Sequence, residues 1–309
     1  MLKPHFYAFP GDEPLADALA TLVRGRVGEV VVRTFADGEQ HLRLSHVNQQ
    51  DNVVLVCTRT FPSPRLLPLV FLGATALEAG ARTVGLVAPY LSVLRPERRT
   101  RRGDGGTSEH VATLLSAAFD WIVTVAPQLL RAPSLEEFFS VPLHITSADV
   151  AIAGWIRSNV QSPLLVGPTS GSDTWTTHLA TVLDAPIVAA IPGRDGEKTL
   201  QLAGAVPTRW RHCTPVIVRS IVESGSFMRR AVEEVVTLGL APPICITAHP
   251  VFAGTSYRSL LASGAARVVS CNSIPHPTND IELAPWIADG VTAMIGEGER
   301  KKRPEACPA

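Results

Sequence analysis

The segment PVIVRSIVESGSF, residues 215–227, joins a run of β-branched residues to a short polar loop and the start of a helical pattern. Glu223, Ser224, Gly225 and Ser226 bring hydroxyl groups, a glycine that permits close backbone approach, and amides at the start of a helix. Amides at a helix N-terminus attract anions. The loop therefore predicts an anion site, although an ordinary strand–helix turn uses the same residue types.

A second candidate is an arginine-rich loop. Five arginines lie within the eight residues 95–102, and the glycine-rich residues 103–106 follow them. Guanidinium groups match phosphate oxygens in pairs. This loop predicts a nucleotide triphosphate site, and a solvated basic loop is the alternative.

Three further stretches carry weaker patterns. In FADGE, residues 35–39, an aromatic ring beside two carboxylates could stack on a base and accept from its amine, whereas a plain Asp-Gly turn has the same composition. GPTSGSD, residues 167–173, resembles a phosphate or metal loop in composition. His249 follows a strand-like run and is interpreted as a structural histidine.

The composition excludes several classes of protein. No uninterrupted apolar run approaches the roughly 18 residues of a membrane span, and the first residues do not resemble a secretion signal. The 28 basic and 28 acidic residues leave no basic field for nucleic acid. The five cysteines are scattered, which suits buried thiols in a reducing compartment. We therefore expect a cytoplasmic protein without membrane or nucleic-acid partners.

The elements that must position these loops alternate between short β-branched runs and longer helical stretches. Nearly continuous apolar runs are typical of parallel strands covered by helices on both faces. The expected strands are 30–33, 52–56, 83–87, 121–125, 163–166, 186–189, 215–218, 244–247 and 266–270. The expected helices include 66–79, 107–118 and 227–238, with Gly80 and Gly239 at their C-caps. The pattern predicts an α/β fold of mostly parallel sheets.

The two halves of the chain share a pattern. Residues 77–91 and 261–275 each run from a helix end through glycine, alanine and a basic residue into a strand and a proline-marked loop. This similarity indicates a duplicated fold of two domains, 1–146 and 147–280. We expect the final helix, 281–296, to return to the first domain and residues 297–309 to form a disordered tail.

Taken in order, these loops resemble the phosphoribosyl pyrophosphate (PRPP) synthetase, or ribose-phosphate pyrophosphokinase, family over residues 5–295. The best-kept segments are FADGE, APYLSVLRPERR, ALEAGA followed by LVAPYL, TAHPVFAG and CNSIPHP. The resemblance implies two phosphoribosyltransferase-like α/β domains. It also implies transfer of the β,γ-diphosphoryl group of ATP to the 1-hydroxyl of ribose 5-phosphate with Mg²⁺, and assembly into dimers or hexamers that share nucleotide sites.

The resemblance assigns binding of ATP or ADP to two loops. The matching positions are Phe35, Asp37 and Glu39 for the base, and Arg95, Arg98 and Arg99 for the phosphates. Glu97 also belongs to this predicted nucleotide site, although Pro96 and Glu97 replace the Gln-Asp of the family's Arg-Gln-Asp motif.

The metal and catalytic positions depart from the family. Gln128 and Thr169 stand where the family has metal ligands, so the resemblance implies no metal residues here and Mg²⁺ held only through bound ATP. The family's catalytic lysine falls at or near Pro192, which leaves Arg194 as the candidate catalytic cation. Losing one donor to the developing charge costs about 2.7–4 kcal/mol.

The ribose-phosphate loop departs as well. The family's two diol-binding aspartates align with Arg219 and Ser220, and its phosphate cradle aligns with Glu223, Ser224, Gly225 and Ser226. Phe227 stands where the family has a hydroxyl residue.

Three hypotheses follow. The first is a catalytically impaired homologue that binds nucleotide and serves as a regulatory or assembly subunit, alone or with an active paralogue. The second is an enzyme whose phosphate substrate has changed, with Arg219 binding an anion instead of a diol. The third is an active ribose-phosphate diphosphokinase that forms PRPP and AMP through substitute residues.

Overall fold

In the computed structural model, the described residues are 3–58, 65–91, 107–125, 137–168, 175–193, 196–202 and 207–300. The chain forms two compact units. Unit 1 comprises Met1–Thr146 and Ala284–Ala309, and unit 2 comprises Ser147–Leu283.

Unit 1 is built on a six-stranded parallel sheet in the order β2-β1-β5-β6-β7-β8. Every residue of β5, β6 and β7 is buried, as the continuous apolar runs predict for strands covered on both faces. The elements of its first segment are β1 (His5–Ala8), α1 (Glu13–Leu22), β2 (Arg26–Gly28), β3 (Val30–Thr34), β4 (Gln40–Leu44), β5 (Asn52–Val56), α2 (Leu66–Glu78), β6 (Thr83–Val87), α3 (Thr107–Ala118), β7 (Trp121–Val125) and β8 (Leu143–Thr146).

The strand expected at 30–33 does not join this parallel sheet. β3 pairs antiparallel with β4 in a separate two-stranded hairpin. Val30, Leu42 and Leu44 are partly buried against the unit 1 core, whereas Arg33 and His41 are exposed. This one-sided burial is typical of an antiparallel hairpin and not of a strand between two helical layers.

Unit 2 is built on a seven-stranded sheet in the order β11-β10-β9-β12-β13-β14-β15. All neighbouring strands are parallel except β10 and β11. Its elements are α4 (Asp149–Asn159), β9 (Pro163–Gly167), α5 (Trp175–Leu183), β10 (Ile187–Gly193), β11 (Gly196–Leu202), β12 (Thr214–Val222), α6 (Ser226–Thr237), β13 (Ile244–Pro250), α7 (Ser256–Ala262), β14 (Arg267–Cys271) and β15 (Asn279–Ile281), with a 3₁₀ turn at Thr208–Trp210. The prediction of an α/β fold with two mostly parallel sheets is confirmed.

The helix ends follow the glycine signals in the sequence. α2, α3 and α6 lie within one residue of the expected helices at both ends. Gly80 and Gly239 have φ values of +92° and +68°, just beyond α2 and α6. Glycine adopts this left-handed conformation without a Cβ clash, so it ends a helix cleanly.

The last helix, α8 (Ala284–Arg300), belongs to unit 1. It packs against α1, β7 and β8 and buries Ile287 and Val291. It begins later than the expected 281 because Asn279–Ile281 pairs with β14 as an edge strand. It continues to Arg300, so the expectation of a disordered tail from residue 297 is wrong for 297–300. None of the helices in the described ranges is long and apolar enough to cross a membrane.

Candidate functional site

The strand expected at 215–218 is longer in the structure. β12 runs from Thr214 to Val222 between β9 and β13, and Arg219 pairs with Thr247 of β13. Arg219 and Ser220 are therefore strand residues and not loop residues, because the parallel ladder continues past Val218. Ser220 is buried, and Arg219 is half-buried.

The remaining loop spans only residues 223–225. Gly225 has a φ of +67° and caps the N-terminus of α6. The Ser224 hydroxyl lies 3.2 Å from the Ser226 hydroxyl. A side chain larger than hydrogen at 225 would be strained by this φ, so the glycine allows the chain to turn directly from strand to helix.

The segment after β13 holds this loop in place. The amide of Phe252 donates to the carbonyl of Val222 at 2.9 Å, and the amide of Ala253 donates to that of Glu223 at 2.9 Å. Phe252 has a φ of +30°, a conformation rare for an aromatic residue. Backbone strain of this kind concentrates at functional sites.

Arg219 and Phe227 meet across the loop. The Arg219 guanidinium carbon lies 4.8 Å from the centroid of the Phe227 ring, which is within the range of a cation–π contact. Phe227 is half-buried and packs against the unit 2 core. Sequence reasoning singled out both departures from the family motif but did not predict that they touch.

One buried polar group next to the loop was not predicted. Ser256, the first residue of α7, is 7% exposed, and its hydroxyl has no hydrogen-bond partner among the described residues. Its Cβ would lie 3.7 Å from a Cβ built on Gly225. A serine at a helix start is common, so the sequence carries no signal that distinguishes it.

His249 is fully buried at the end of β13. The Ser273 hydroxyl donates to the Ala248 carbonyl at 2.6 Å and lies 2.9 Å from His249 Nδ1. The serine therefore accepts from Nδ1–H, which sets the tautomer of the imidazole. This hydrogen bond fits the structural role that the sequence suggested for His249.

The segment Phe35–Glu39 forms the tip of the β3–β4 hairpin and not a loop at the carboxyl edge of the main sheet. Phe35 is 43% exposed, and the Arg33 guanidinium carbon lies 5.1 Å from its ring centroid. Asp37 and Glu39 are exposed, and Asp37 Oδ1 accepts from the Glu39 amide at 3.0 Å. The structure thus brings the three predicted base-binding residues together at one tip.

A buried polar network anchors the base of this hairpin. The Tyr7 hydroxyl donates to the Ser45 carbonyl at 2.7 Å and so accepts from His5 Nδ1, which lies at 2.9 Å. His5 Nδ1 also lies 3.4 Å from Asp51, which is ion-paired with Arg26. Burial, with a smaller effect of the Arg26 charge, lowers the pKa of His5.

The carboxyl edge of the unit 1 sheet carries a second buried carboxylate. In the unit 1 sheet, β2 lies on one side of β1 and β5 lies on the other. Ligands of open α/β sheets bind where the strand order reverses in this way. Here Asp12, which is 2% exposed, accepts from the Thr58 amide at 3.1 Å and from Arg65 at 3.2 Å. Burial raises the pKa of Asp12 against the opposing effect of the Thr58 hydrogen bonds.

The other predicted site residues lie outside the described residues. They are Arg95, Glu97, Arg98, Arg99, Gln128, Thr169 and Arg194. In the part of the chain that the structure describes, no three metal-binding side chains come together. Gln128 and Thr169, which the resemblance aligns with metal ligands, carry no charge, whereas Mg²⁺ prefers carboxylates.

Comparison with known proteins adds to this geometry. The family model for the N-terminal domain of ribose phosphate pyrophosphokinase matches residues 6–118. The ribose-phosphate pyrophosphokinase of Bacillus caldolyticus is 24% identical over 301 residues, covering 93% of each chain. That of Corynebacterium ammoniagenes is 22% identical, covering 94% of each chain. Over almost its whole length, the chain is therefore similar to ribose-phosphate pyrophosphokinases.

The fold comparison agrees with this similarity. Phosphoribosylpyrophosphate synthetase from Mycobacterium smegmatis superposes with a TM-score of 0.80, covering 96% of this chain and 100% of that one, at 21% identity. Both units therefore have the fold of a ribose-phosphate pyrophosphokinase. The identity to these relatives is low, between 21% and 24%.

Proposed function

We propose that this chain is a ribose-phosphate pyrophosphokinase homologue with strongly impaired PRPP formation, which binds nucleotide and acts as a regulatory or assembly subunit. The observation that carries this proposal is Arg219. It lies in β12 and stacks on Phe227, and the resemblance aligns it with a diol-binding carboxylate.

The chemistry of a ribose diol supports this proposal. Two adjacent hydroxyl groups donate well to a carboxylate, which only accepts. A guanidinium only donates, and the neutral Ser220 beside Arg219 adds no charge and is buried. A ribose placed at this loop would therefore lose the acceptors that orient its hydroxyls for attack on ATP.

The hairpin tip is the proposed base site for ATP or ADP. Phe35 presents an exposed ring, and Asp37 and Glu39 present exposed carboxylates that can accept from an exocyclic amine. The arginine-rich loop is the proposed phosphate site, through Arg95, Glu97, Arg98 and Arg99. Bound Mg²⁺ would be held through the nucleotide phosphates, and Arg194 is the one cation proposed for the altered catalytic segment.

The decisive test is turnover. The purified full-length chain is incubated with ATP, ribose 5-phosphate and Mg²⁺, and AMP release is compared with that of the Bacillus caldolyticus relative. Loss of even one charge-stabilising donor lowers kcat by about 10²–10³, so we expect a rate at least a thousandfold lower. AMP release within tenfold of that of the relative would overturn the proposal.

A second candidate function is retained enzyme chemistry on another phosphate compound. The observation that favours it is the turn before α6, where Gly225 is the N-cap and lies between Ser224 and Ser226, whose hydroxyls are 3.2 Å apart. A ligand that binds only the native state raises thermal stability. Stabilisation by ATP but by none of a panel of sugar phosphates supports the regulatory role, and stabilisation by one sugar phosphate supports altered specificity.

The proposed assembly is a homo-oligomer, a dimer or a hexamer, with an active paralogue as a further partner. The buried thiols of Cys57, Cys245 and Cys271 suit a reducing compartment, so we propose that the protein is cytoplasmic. Co-purification with an active ribose-phosphate pyrophosphokinase from the same cells tests the paralogue.

A further inference from the structure

We propose that Phe227 is a specificity-determining residue, which holds the Arg219 guanidinium across the β12–α6 loop and thereby excludes ribose 5-phosphate. This inference rests on the proposed function, because it explains how the altered loop rejects the sugar phosphate. It assigns to the two residues a joint effect, in which either residue alone still blocks the sugar phosphate.

The position of the contact carries the proposal. Arg219 is the sixth residue of β12 and Phe227 is the second residue of α6, so the contact joins the two sides of the loop 223–225. A ligand held by the start of α6 and by the end of β12 has to occupy the space between them. The contact between Arg219 and Phe227 links the two elements that border this space.

Phe227 fixes the position of Arg219. Its ring packs against the unit 2 core, and the following residues Met228, Ala231 and Val232 bury the inner face of α6. A long arginine side chain has many rotamers of similar energy, and stacking on an aromatic face selects among them. The anchored ring therefore holds the cation beside the loop.

The two side chains act through different chemistry. Arg219 has donors only, so it cannot accept a hydrogen bond from the hydroxyls of a diol as a carboxylate does. Phe227 contributes an apolar ring at a position beside the Ser226 amide, where a hydroxyl group could bind a phosphate oxygen. Because each residue blocks a different part of ribose 5-phosphate, reversal of one should leave the other barrier in place.

The test compares wild type, Arg219→Asp, Phe227→Thr and the double variant by isothermal titration of the full-length chain with ribose 5-phosphate. We expect the double variant to bind at least tenfold more tightly than either single variant. Equal affinity of one single variant and the double variant overturns joint action, and no gain in the double variant overturns the proposal. Neither result changes the turnover of the wild type, which tests the proposed function separately.

Two controls accompany this series. Arg229→Asp makes the same charge change on α6, where Arg229 pairs with the exposed Glu233, and should leave the affinity unchanged. Phe227→Tyr keeps the ring face and should behave as wild type. A gain in either control that equals that of the double variant would overturn the assignment to this pair.

A second measurement covers a double variant that fails to fold. In wild type, the ring current of Phe227 should shift the Arg219 Nε–H resonance upfield. Phe227→Leu keeps the apolar packing but removes the ring, so the upfield shift of the resonance should be lost. An unchanged resonance would contradict the role of Phe227 in holding Arg219.

Discussion

His5 ties the first strand of unit 1 to the segment behind the hairpin through a single buried ring. It donates to the Tyr7 hydroxyl, which in turn donates to the Ser45 carbonyl. Burial and the charge of Arg26 oppose its protonation, while Asp51 favours it and His46 opposes it more weakly. The neutral imidazole therefore belongs to the folded state.

We predict that unit 1 loses stability as the pH falls below about 6.5. The pKa of His5 is lower in the folded than in the unfolded chain, so the unfolded chain binds the extra proton and stability falls with pH at up to about 1.4 kcal/mol per pH unit. Urea unfolding followed by circular dichroism between pH 5 and 7 measures this slope. His5→Gln, which does not titrate, should flatten it, and His41→Gln on the exposed hairpin should not.

At this scale, the sequence predicted the types of the site residues better than their contacts. Arg219 and Phe227 were recognisable because a cation and a ring stand at unexpected positions in a strand–loop–helix pattern. Their stacking was not predictable, because it depends on how far β12 extends before the turn. Residue patterns set the period of an element more firmly than its last residue.

At the scale of elements, Gly85 of β6 pairs with Trp121 of β7, whose ring occupies the space that a side chain at position 85 would need. A Cβ on Gly85 would overlap the buried ring of Trp121. The continuous apolar pattern of 83–87 predicted a buried strand, and the structure supplies the reason for the glycine inside it.

We predict that Gly85→Ala destabilises the chain by about 1–3 kcal/mol, as overpacking does in cores. Denaturant unfolding measures the loss. Gly154→Ala is the matched control, because Gly154 is exposed within α4 with no atom near the added methyl group. That variant should be more stable than wild type by about 0.5–1 kcal/mol. A loss of similar size in both variants would contradict the packing argument.

The tip of the β3–β4 hairpin is the proposed site for the base of the nucleotide. We predict that Phe35→Ala weakens ATP binding by about 5-fold to 150-fold, which is the ~1–3 kcal/mol of base stacking. Isothermal titration with ATP measures the change. Phe71→Ala, which removes another exposed ring on α2, should bind ATP like wild type. Unchanged affinity in Phe35→Ala would remove the hairpin tip from the proposed nucleotide site.

The sequence predicted the central strands of the unit 1 sheet, but it did not predict that residues 30–33 pair with β4 in a hairpin. The runs at 52–56, 83–87 and 121–125 are continuous and became the buried centre of the sheet. The run at 30–33 is similar in composition, but the polar residues that flank it let one face meet solvent. Composition alone does not separate a central strand from a hairpin strand, whereas the alternation in its partner β4 does.

At the scale of the whole molecule, the proposed function combines an oligomer like that expected from the resemblance with impaired formation of PRPP. We predict that sedimentation analysis of the purified chain gives the mass of a dimer or a hexamer that does not change on dilution. ATP should leave this mass unchanged or raise it. A monomer at all concentrations would contradict the proposed assembly role.

The order of the chain also sets an order of folding during synthesis. Unit 1 is completed by α8, whose buried residues Ile287 and Val291 are made only after all 137 residues of unit 2, from 147 to 283. At about 5–20 residues per second, that interval is roughly 7–27 s on the ribosome. During this interval, the apolar surface of residues 1–146 that α8 later covers stays exposed, while unit 2 can already fold. We therefore expect chaperones to bind the nascent chain at this stage.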